Sequence, residues 1–179
     1  EVNQANSVLT NFLQLARPKQ PVLKFHSVNE LVKEILAVVE PHAFLNNIEL
    51  IYEEANNLPL SMLDKDQIKQ VLLNMCRNAI EAMPDGGKIK ILSGHFPDEK
   101  EIFIDVEDTG CGIPKDKMQN IGVPFYSTKD DGTGLGLSIS YSIIHAHHGR
   151  VEVKSTVGRG TRFRIILPYT RENDKADEN

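Results

Sequence analysis

Five stretches of this 179-residue chain alternate apolar and polar residues in the manner of β-strands. KIKILS (88–93) and IFIDVED (102–108) flank a PDEK turn, and RVEVKS and TRFRIILP flank TVGRG further along the chain. Both pairs predict antiparallel hairpins, and IELIYEE (48–54) predicts a further strand. Helical patterns lie before and between these strands. We therefore predict an α+β fold, a two-layer α/β sandwich in which one mixed sheet carries helices on one face.

Start signals and apolar spacing locate the helices. SVNE is a capping box with Ser27 as N-cap, and Asp64 caps the next helix, with a glutamine in the box position. Pro41 is expected to kink or interrupt the first helix, and Gly149 to close the helix that starts at residue 135. The predicted buried faces are Val28, Leu31, Val32, Ile35, Leu36 and Val39 in the first helix, and Ile68, Val71, Leu72, Met75, Ala79 and Ile80 in the second.

Both ends of the chain lie outside this predicted sandwich. Residues 2–16 carry apolar side chains at helical spacing, and Arg17-Pro18 and a short linker follow them. The charged tail RENDKADEN is expected to be disordered. We accordingly divide the chain into residues 1–18, 19–170 and 171–179. The first residue is Glu rather than Met, which suggests a fragment of a longer protein.

Composition argues against several classes of protein. The net charge is −5 and the pI about 5.7, so the basic footprint of a nucleic-acid-binding protein is missing. The apolar runs are too short to span a bilayer. The two cysteines, Cys76 and Cys111, form neither a CxxC pair nor a disulfide framework, which indicates reduced thiols in a cytosolic domain.

Two asparagines occupy one side of the second predicted helix. Asn74 and Asn78 lie one turn apart in NMCRNAIEA and form a polar stripe with Arg77 and Glu81. A solvated helix face would usually carry Lys and Glu, because asparagine lowers helix propensity. The alternative is a binding function, since an amide oxygen is a neutral, hard ligand suited to Mg²⁺. The helix alone leaves both interpretations open.

A first glycine cluster, VEDTGCGIP, follows a predicted strand. Asp108 ends that strand, and its carboxylate could accept a hydrogen bond from an exocyclic amine such as that of adenine. Gly110 and Gly112 would let the backbone approach a flat ring closely. A DxGxG pattern is weak by itself, because it also describes an ordinary strand-to-loop turn.

A second cluster, STKDDGTGLGLSIS, runs into the start of a helix. Gly132, Gly134 and Gly136 precede free backbone N–H groups that favour phosphate. Thr133 adds a hydroxyl and Lys129 a cation. The pattern follows no strand of a βαβ unit and contains no Gly-Lys-Ser/Thr, so it fits neither the dinucleotide fingerprint nor the P-loop.

Two further groups have ordinary structural explanations. Gly158 and Gly160 are typical of a hairpin turn. His145, His147 and His148 resemble a metal cluster, but their position at the end of a helix fits contacts with its C-terminal carbonyls better.

Taken together and in order, these motifs resemble the ATP-binding domain of sensor histidine kinases. The matching segments are the N box QVLLNMCRNAIEAM (70–83), the first glycine box DTGCGIP (108–114), the F box PFYSTK (124–129), the second glycine box GTGLGLSIS (132–140) and the last box GRGTRFRIILP (158–168). The resemblance covers roughly residues 25–168. It implies the Bergerat α/β sandwich, which DNA gyrase, heat-shock ATPase chaperones and mismatch-repair MutL share.

The resemblance also implies a role for each matched residue. Asn78 would coordinate Mg²⁺, and Asn74 would contact phosphates or the waters of the metal. Arg77 and Lys129 would neutralise phosphate charge, and Asp108 would bind the adenine amine of ATP. The other implied ATP-binding residues line the base, form the hinge of the lid or close the adenine side: Gly110, Gly112, Gly132, Thr133, Gly134, Leu135, Gly136 and Thr161.

Partners are implied in the same way. Residues 2–18 resemble the second helix of a dimerisation and phosphotransfer hairpin, so the chain is expected to meet its own dimer partner there, a response regulator, and an inhibitor protein that grips this stalk. None of the six histidines is followed by Asp or Glu, so the acceptor histidine is expected outside this chain. The short lid is similar to that of nitrogen-sensing and sporulation kinases. We expect a cytoplasmic domain of a membrane-anchored protein.

Three functions remain open at this stage. The first is an ATP-dependent protein histidine kinase. The second is a related anti-sigma serine kinase or a clamp-type ATPase. In the ATPase branch of the superfamily a glutamate stands one turn before the metal-binding asparagine. That position is Asn74, which cannot act as a base. The third is a non-enzymatic nucleotide-binding regulator, which would need no intact Asn78, Asp108 or glycine boxes.

Overall fold

The computed structural model describes residues 20–126 and 134–169, and every statement about the fold refers to these. The elements, in chain order, are β1 Lys24–His26, α1 Val28–Leu45, β2 Ile48–Glu53, β3 Ser61–Leu63, α2 Lys65–Glu81, β4 Gly87–Phe96, β5 Glu101–Asp108, α3 Lys115–Met118, α4 Gly136–Ala146, β6 Arg150–Thr156 and β7 Gly160–Pro168. The predicted helix at 2–16 and the predicted disordered tail lie outside the described residues. None of the described helices is both long and apolar enough to cross a membrane.

Five of the described strands form one mixed sheet in the order β2-β4-β5-β7-β6. β2 runs parallel to β4, and the other neighbours are antiparallel. The two predicted hairpins are β4-β5 and β6-β7, so the predicted α+β fold with a mixed sheet is confirmed. β1 and β3 pair in a separate two-stranded sheet that we did not predict, because each strand has only three residues and its partner is distant in sequence.

The helices begin where the capping signals predicted. The Ser27 hydroxyl accepts a hydrogen bond from the Glu30 N–H at 3.3 Å. The Asp64 carboxylate accepts from the N–H groups of Asp66 and Gln67, both at 3.1 Å. Each cap satisfies N–H groups that have no partner inside the helix and contributes about 1 kcal/mol.

The core lies between α1, α2 and α4 and one face of the sheet. The predicted faces of α1 and α2 are buried there, except that Leu36 and Ile80 are only partly covered. Opposite them, alternate residues of the central strands are fully buried, namely Ile89, Ile91, Ile102, Ile104 and Ile165. Full burial of each such side chain stabilises the fold by about 1.5–3 kcal/mol, so this interface holds the two layers together.

Pro41 was expected to kink or interrupt the first helix, and the interruption is wrong, since α1 continues through it to Leu45. Proline in a helix interior costs about 3 kcal/mol. Val39 and Ala43 lie buried on either side of it, 3% and 1% exposed. The apolar burial of these flanking turns therefore holds α1 in place despite the missing backbone hydrogen bond.

The end of α4 differs in detail from the prediction. The left-handed residue is His148, with φ 57°, rather than Gly149. The Gly149 N–H bonds the Ile144 carbonyl and the His148 N–H bonds the His145 carbonyl, both at 2.9 Å, which is the Schellman arrangement. Gly149 is needed for another reason: a Cβ there would overlap the Ile166 carbonyl oxygen.

His147 joins the end of α4 to the start of α2. It is 3% exposed, and its Nε2 accepts a hydrogen bond from the Asp64 N–H at 3.0 Å. Nδ1 therefore carries the ring hydrogen and donates to the Ile143 carbonyl at 2.8 Å. This agrees with the predicted contact between a histidine and the C-terminal carbonyls.

The face of the sheet away from the helices carries charged residues that pair across strands. Lys88 pairs with Glu49, and Lys90 with Glu53. One charged residue on this face, Asp105, is buried, and its side chain is 1% exposed. Its two carboxylate oxygens accept hydrogen bonds from Arg164 Nε and Nη2, both at 2.7 Å. This bidentate pair joins β5 to β7 three residues from the end of β5 that bears Asp108.

Candidate functional site

The asparagines lie at the boundary between core and solvent on α2. Met75 and Ala79 face the core and are 1% and 3% exposed. Asn74 and Asn78 are half-buried, whereas Leu73 and Arg77 on the outer side are exposed. A solvated face would leave the amides in water, so this arrangement favours the binding interpretation of the stripe.

Asn74 contacts the first turn of α4. Its Nδ2 donates a hydrogen bond to the Ser140 hydroxyl at 3.0 Å, and its Oδ1 lies where a Cβ on Gly136 would be. Any Cβ at position 136 would displace the Asn74 amide from this position. The second glycine box therefore packs directly on the N box.

Asp108 ends β5 in a largely buried position, 9% exposed. Its Oδ1 accepts hydrogen bonds from the Gly110 N–H at 2.8 Å and the Thr161 N–H at 3.2 Å. A carboxylate held by backbone N–H groups is fixed in orientation. β7 crosses so close that any Cβ on Gly160 would overlap the Asp108 carbonyl oxygen.

The glycines of the first box make room for neighbouring backbone. A Cβ on Gly110 would lie 2.7 Å from the Ala82 carbonyl oxygen. At Gly112, where φ is +72°, a Cβ would overlap the Thr156 carbonyl oxygen. The loop thereby packs between α2 and the β6–β7 turn, where the Cys111 N–H also bonds the Ala82 carbonyl at 3.1 Å.

One row of α2 connects the two glycine boxes. We call Asn74, Asn78 and the C-cap residue Ala82 the asparagine row; its members are four residues apart and share one side of the helix. Asn74 contacts Gly136 of the second box, and Ala82 contacts Gly110 of the first. Asn78 lies midway between them, about 6 Å along the helix from each end of the row.

Gly134 and Leu135 lead into α4. Gly134 has φ +66° and packs on the backbone of Phe125, which has φ 65° itself and donates its N–H to the Gly134 carbonyl at 3.1 Å. Leu135 is the N-cap and is fully buried, and its side chain makes no capping hydrogen bond within the described part of the chain. The first turn of α4 thus keeps N–H groups that could bind an anion.

Thr161 lies beside Asp108 at the start of β7 and is 7% exposed. Its hydroxyl pairs with that of Ser155 at 2.9 Å, and Ser155 also accepts from the Ile113 N–H at 2.8 Å. An open cavity of about 480 Å³ touches both Asp108 and Thr161, but no residue of the asparagine row lines it. The predicted base-binding residues meet at one end of the row through other contacts: Gly110 packs on Ala82, and the Thr161 N–H donates to Asp108.

A family model matches residues 63–171, and it describes the histidine kinase-, DNA gyrase B- and HSP90-like ATPases. The chain belongs to this family. Sporulation kinase E of Bacillus subtilis is 36% identical over all 179 residues, which make up 24% of that kinase. The chain thus spans about a quarter of the length of this curated relative.

Solved structures of the family agree with the fold. A crystal structure of full-length ShkA in complex with AMPPNP has a TM-score of 0.84 and 27% identity, over 92% of this chain and 36% of that one. A structure of the histidine kinase ThkA in complex with the response regulator protein TrrA has a TM-score of 0.80 and 29% identity, over 94% of this chain and 48% of that one. Family membership thus supports ATP as the ligand.

Some predicted site residues are not joined to the row. The Arg77 side chain is 80% exposed, and its Nε pairs with Glu81, four residues later, at 2.8 Å. An exposed pair of this kind contributes less than about 1 kcal/mol, so little opposes its exchange for a phosphate. Lys129, Gly132 and Thr133 lie outside the described residues, and their roles stay predictions.

The donors along the row suit Mg²⁺ in one respect. Asn78 offers a neutral amide oxygen, and Mg²⁺ is commonly held by few protein ligands together with waters and phosphate oxygens. Within residues 20–126 and 134–169, no three or more His, Cys, Asp or Glu side chains form a group that could hold a metal ion. The Asn78 amide oxygen suits a metal whose other ligands are waters and phosphate oxygens.

Two residues of the site escaped the sequence analysis. We interpreted Gly160 as a plain turn residue, although it is required by the close approach of β7 to Asp108. Ser140 was included only as the last residue of the second glycine box, with no role of its own. Its signal was its position one turn after Gly136 in GLSIS, which places both residues on the side of α4 that faces α2.

Proposed function

We propose that this chain is the ATP-binding catalytic part of a protein histidine kinase in a two-component system. It binds Mg-ATP, transfers the γ-phosphoryl group to a histidine outside residues 1–179, and the phosphoryl group then passes to a response regulator. The observation that carries this proposal is the asparagine row, which joins a phosphate-type helix start at Gly136 to the buried carboxylate of Asp108.

The two ends of the row suit the two ends of ATP. Asp108, Gly110, Gly112 and Thr161 would bind adenine, because a buried carboxylate oriented by N–H groups accepts well from an exocyclic amine. Gly132, Thr133, Gly134, Leu135 and Gly136 would surround the phosphates at the start of α4. Asn78, between these groups, would hold Mg²⁺.

Transfer of a phosphoryl group needs positioning and charge neutralisation more than covalent chemistry from the protein. Bound Mg²⁺ would neutralise charge on the phosphate oxygens. Asn74, Arg77 and Lys129 would orient the phosphates and offset their charge. The exposed side of α2 at Leu73 and Arg77 leaves space from which an acceptor could approach.

Hydrolysis by a clamp-type ATPase is the second candidate, and the site disfavours it. A base must activate water. The position one turn before Asn78 is Asn74, whose Nδ2 is bonded to Ser140. Glu81 is paired with Arg77 on the outer side. A related serine kinase would share this geometry and differ in its acceptor.

Partners follow from the same proposal. The ThkA–TrrA complex supports a response regulator as the recipient. A dimer partner and an inhibitor protein would contact residues 2–18, which lie outside the described residues. Cytoplasmic location and membrane anchoring of a longer protein are proposals from the family resemblance alone.

The test mixes this chain with γ-labelled ATP, Mg²⁺ and a separate hairpin domain that carries an acceptor histidine, and follows protein-bound label and free phosphate. We expect acid-labile, base-stable label on the hairpin and little free phosphate. A hairpin whose histidine is replaced by alanine is the control. Steady release of free phosphate without labelled protein would favour the ATPase instead.

A further inference from the structure

Ser140 is a buried serine that contacts the N box and has no role so far. It lies on α4, 1% exposed, one turn after Gly136. Its hydroxyl takes part in two hydrogen bonds, one with the Gly136 carbonyl at 3.0 Å and one with Asn74 Nδ2 at 3.0 Å.

The hydrogen count of these bonds decides which way the Asn74 amide faces. A serine hydroxyl has one hydrogen to donate and two lone pairs that accept. The carbonyl of Gly136 can only accept, so the Ser140 hydrogen goes to it. The hydroxyl can then only accept from Asn74, which places the NH₂ group of the amide towards Ser140 and its oxygen towards Gly136.

We propose that Ser140 is a positioning residue that orients the Asn74 amide, so that Oδ1 faces the start of α4, where the phosphates and metal waters of Mg-ATP would lie. This inference rests on the proposed function. An oxygen in that position accepts hydrogen bonds, and waters held by Mg²⁺ are strong donors. Two contacts were implied for Asn74, one with the phosphates and one with the waters of the metal. This orientation favours the waters, which Asn74 would bind through its oxygen.

The test is a double-variant cycle on the affinity for AMPPNP, measured by calorimetry or NMR titration with Mg²⁺ and again with EDTA. In Ser140→Ala, the NH₂ group loses its acceptor and the amide turns away. We expect affinity with Mg²⁺ to fall about fivefold, the size expected for one hydrogen bond, and affinity in EDTA to change little. In the Asn74→Ala background the same serine change should have no further effect, because positioning acts only through Asn74.

Ser138→Ala is the matched control. Ser138 is also a buried serine of α4, 6% exposed, and its hydroxyl also donates to a carbonyl, that of Leu135 at 2.8 Å. It should lower stability as Ser140→Ala does without the Mg²⁺-dependent loss of affinity. Two results would overturn the proposal. One is an equal loss of Mg²⁺-dependent affinity in Ser138→Ala and Ser140→Ala. The other is that Ser140→Ala lowers this affinity as much in the Asn74→Ala background as in the unaltered protein.

A measurement on the unaltered protein covers the case in which Ser140→Ala does not fold. The side-chain NH₂ of Asn74 should show one hydrogen protected from solvent exchange by NMR, and rapid exchange of both would overturn the proposal. Failure of the proposed function looks different: the unaltered chain would then either bind no Mg-AMPPNP at all, or bind it and release free phosphate from ATP without labelling the hairpin.

Discussion

At the scale of single residues, Asn78 carries the clearest prediction. Asn78→Ala removes an amide oxygen and leaves the buried residues beside it, Met75 and Ala79, unchanged. Mg²⁺-dependent affinity for ATP should fall at least about tenfold, as for the loss of a group that supports a metal site, while the thermal midpoint stays close to its original value. Asn56→Ala, an exposed site in a turn, is the control. Tight Mg²⁺-dependent binding in Asn78→Ala would refute the metal assignment.

Asp108→Asn tests the base end of the site. An asparagine keeps one oxygen for the N–H groups of Gly110 and Thr161 and puts an NH₂ group in place of the other oxygen. A donor then meets the amine of adenine, so the preference for ATP over GTP should fall about tenfold or more, the value of one mispaired hydrogen bond. Competition between the two nucleotides for one labelled analogue measures it. An unchanged preference would place adenine elsewhere.

The asparagine pair could be predicted from sequence because its cost in helix propensity is local. The partners of the pair could not. Ser140 is 66 residues from Asn74, and nothing in a single sequence links them before the helices pack. Gly160 likewise looked like a turn residue, because the strand it must accommodate ends 52 residues earlier, at Asp108.

At the scale of secondary-structure elements, the pair between Asp105 and Arg164 fixes the register of β5 against β7. Hydrogen bonding to Asp105 raises the pKa of Arg164, and the guanidinium lies 4.5 Å from the Phe103 ring centre. Arg164→Met removes both short hydrogen bonds and leaves the buried Asp105 carboxylate only a 3.9 Å contact with Arg162 Nη1. It should lower the free energy of unfolding by about 3 kcal/mol in urea titrations.

Two further variants separate pairing from charge alone. Replacing both partners, as in Asp105→Leu with Arg164→Met, should recover most of the loss. Arg150→Met removes the more exposed pair with Glu101 on the same face and should cost less than about 1 kcal/mol. If Arg150→Met and Arg164→Met lower the free energy of unfolding equally, the burial of Asp105 does not explain the loss.

The cap of α2 gives a pH dependence. Burial alone would raise the pKa of Asp64, but N–H groups of Val22, Gln67 and Asp66 bond to its carboxylate and the net pKa is lowered. A lowered pKa means that this part of the stability is present above the unfolded value of about 4 and is lost as pH falls through the folded value. Asp64→Ala should therefore cost about 1 kcal/mol at pH 7 and less at pH 3.

The matched control for that experiment is Asp66→Ala, since Asp66 is exposed in the same first turn but its own carboxylate does not cap the helix. Asp66→Ala should lower the free energy of unfolding less than Asp64→Ala does, because it removes only the interaction of a carboxylate with the helix dipole. A loss in Asp64→Ala that is identical at pH 7 and pH 3 would contradict the assignment to the charged cap.

Long, periodic elements were predictable from sequence and short ones were not. The capping signals at Ser27 and Asp64 are local, and both hold in the structure. β1, β3 and α3 have three or four residues each and carry no periodicity that a sequence can display. Pro41 misled us because the burial of Val39 and Ala43 around it is a tertiary effect.

At the scale of the whole molecule, the order of the motifs along the chain is what made the family recognisable. Each glycine box alone is ambiguous. The fold gives them one function by packing one box at each end of the asparagine row, with Asn78 between. The sequence predicted the α+β sandwich but not this arrangement, because the arrangement depends on how α2 packs against α4 and against the loop after β5.

The most direct test of this account replaces Mg²⁺ with Mn²⁺ and locates the metal in crystals of the chain grown with AMPPNP. The anomalous signal of Mn²⁺ marks its position without reference to any assumed role. We predict one peak beside the Asn78 amide, with the base against Asp108 and the phosphates at the start of α4. A peak away from the asparagine row, or a base remote from Asp108, would contradict the account.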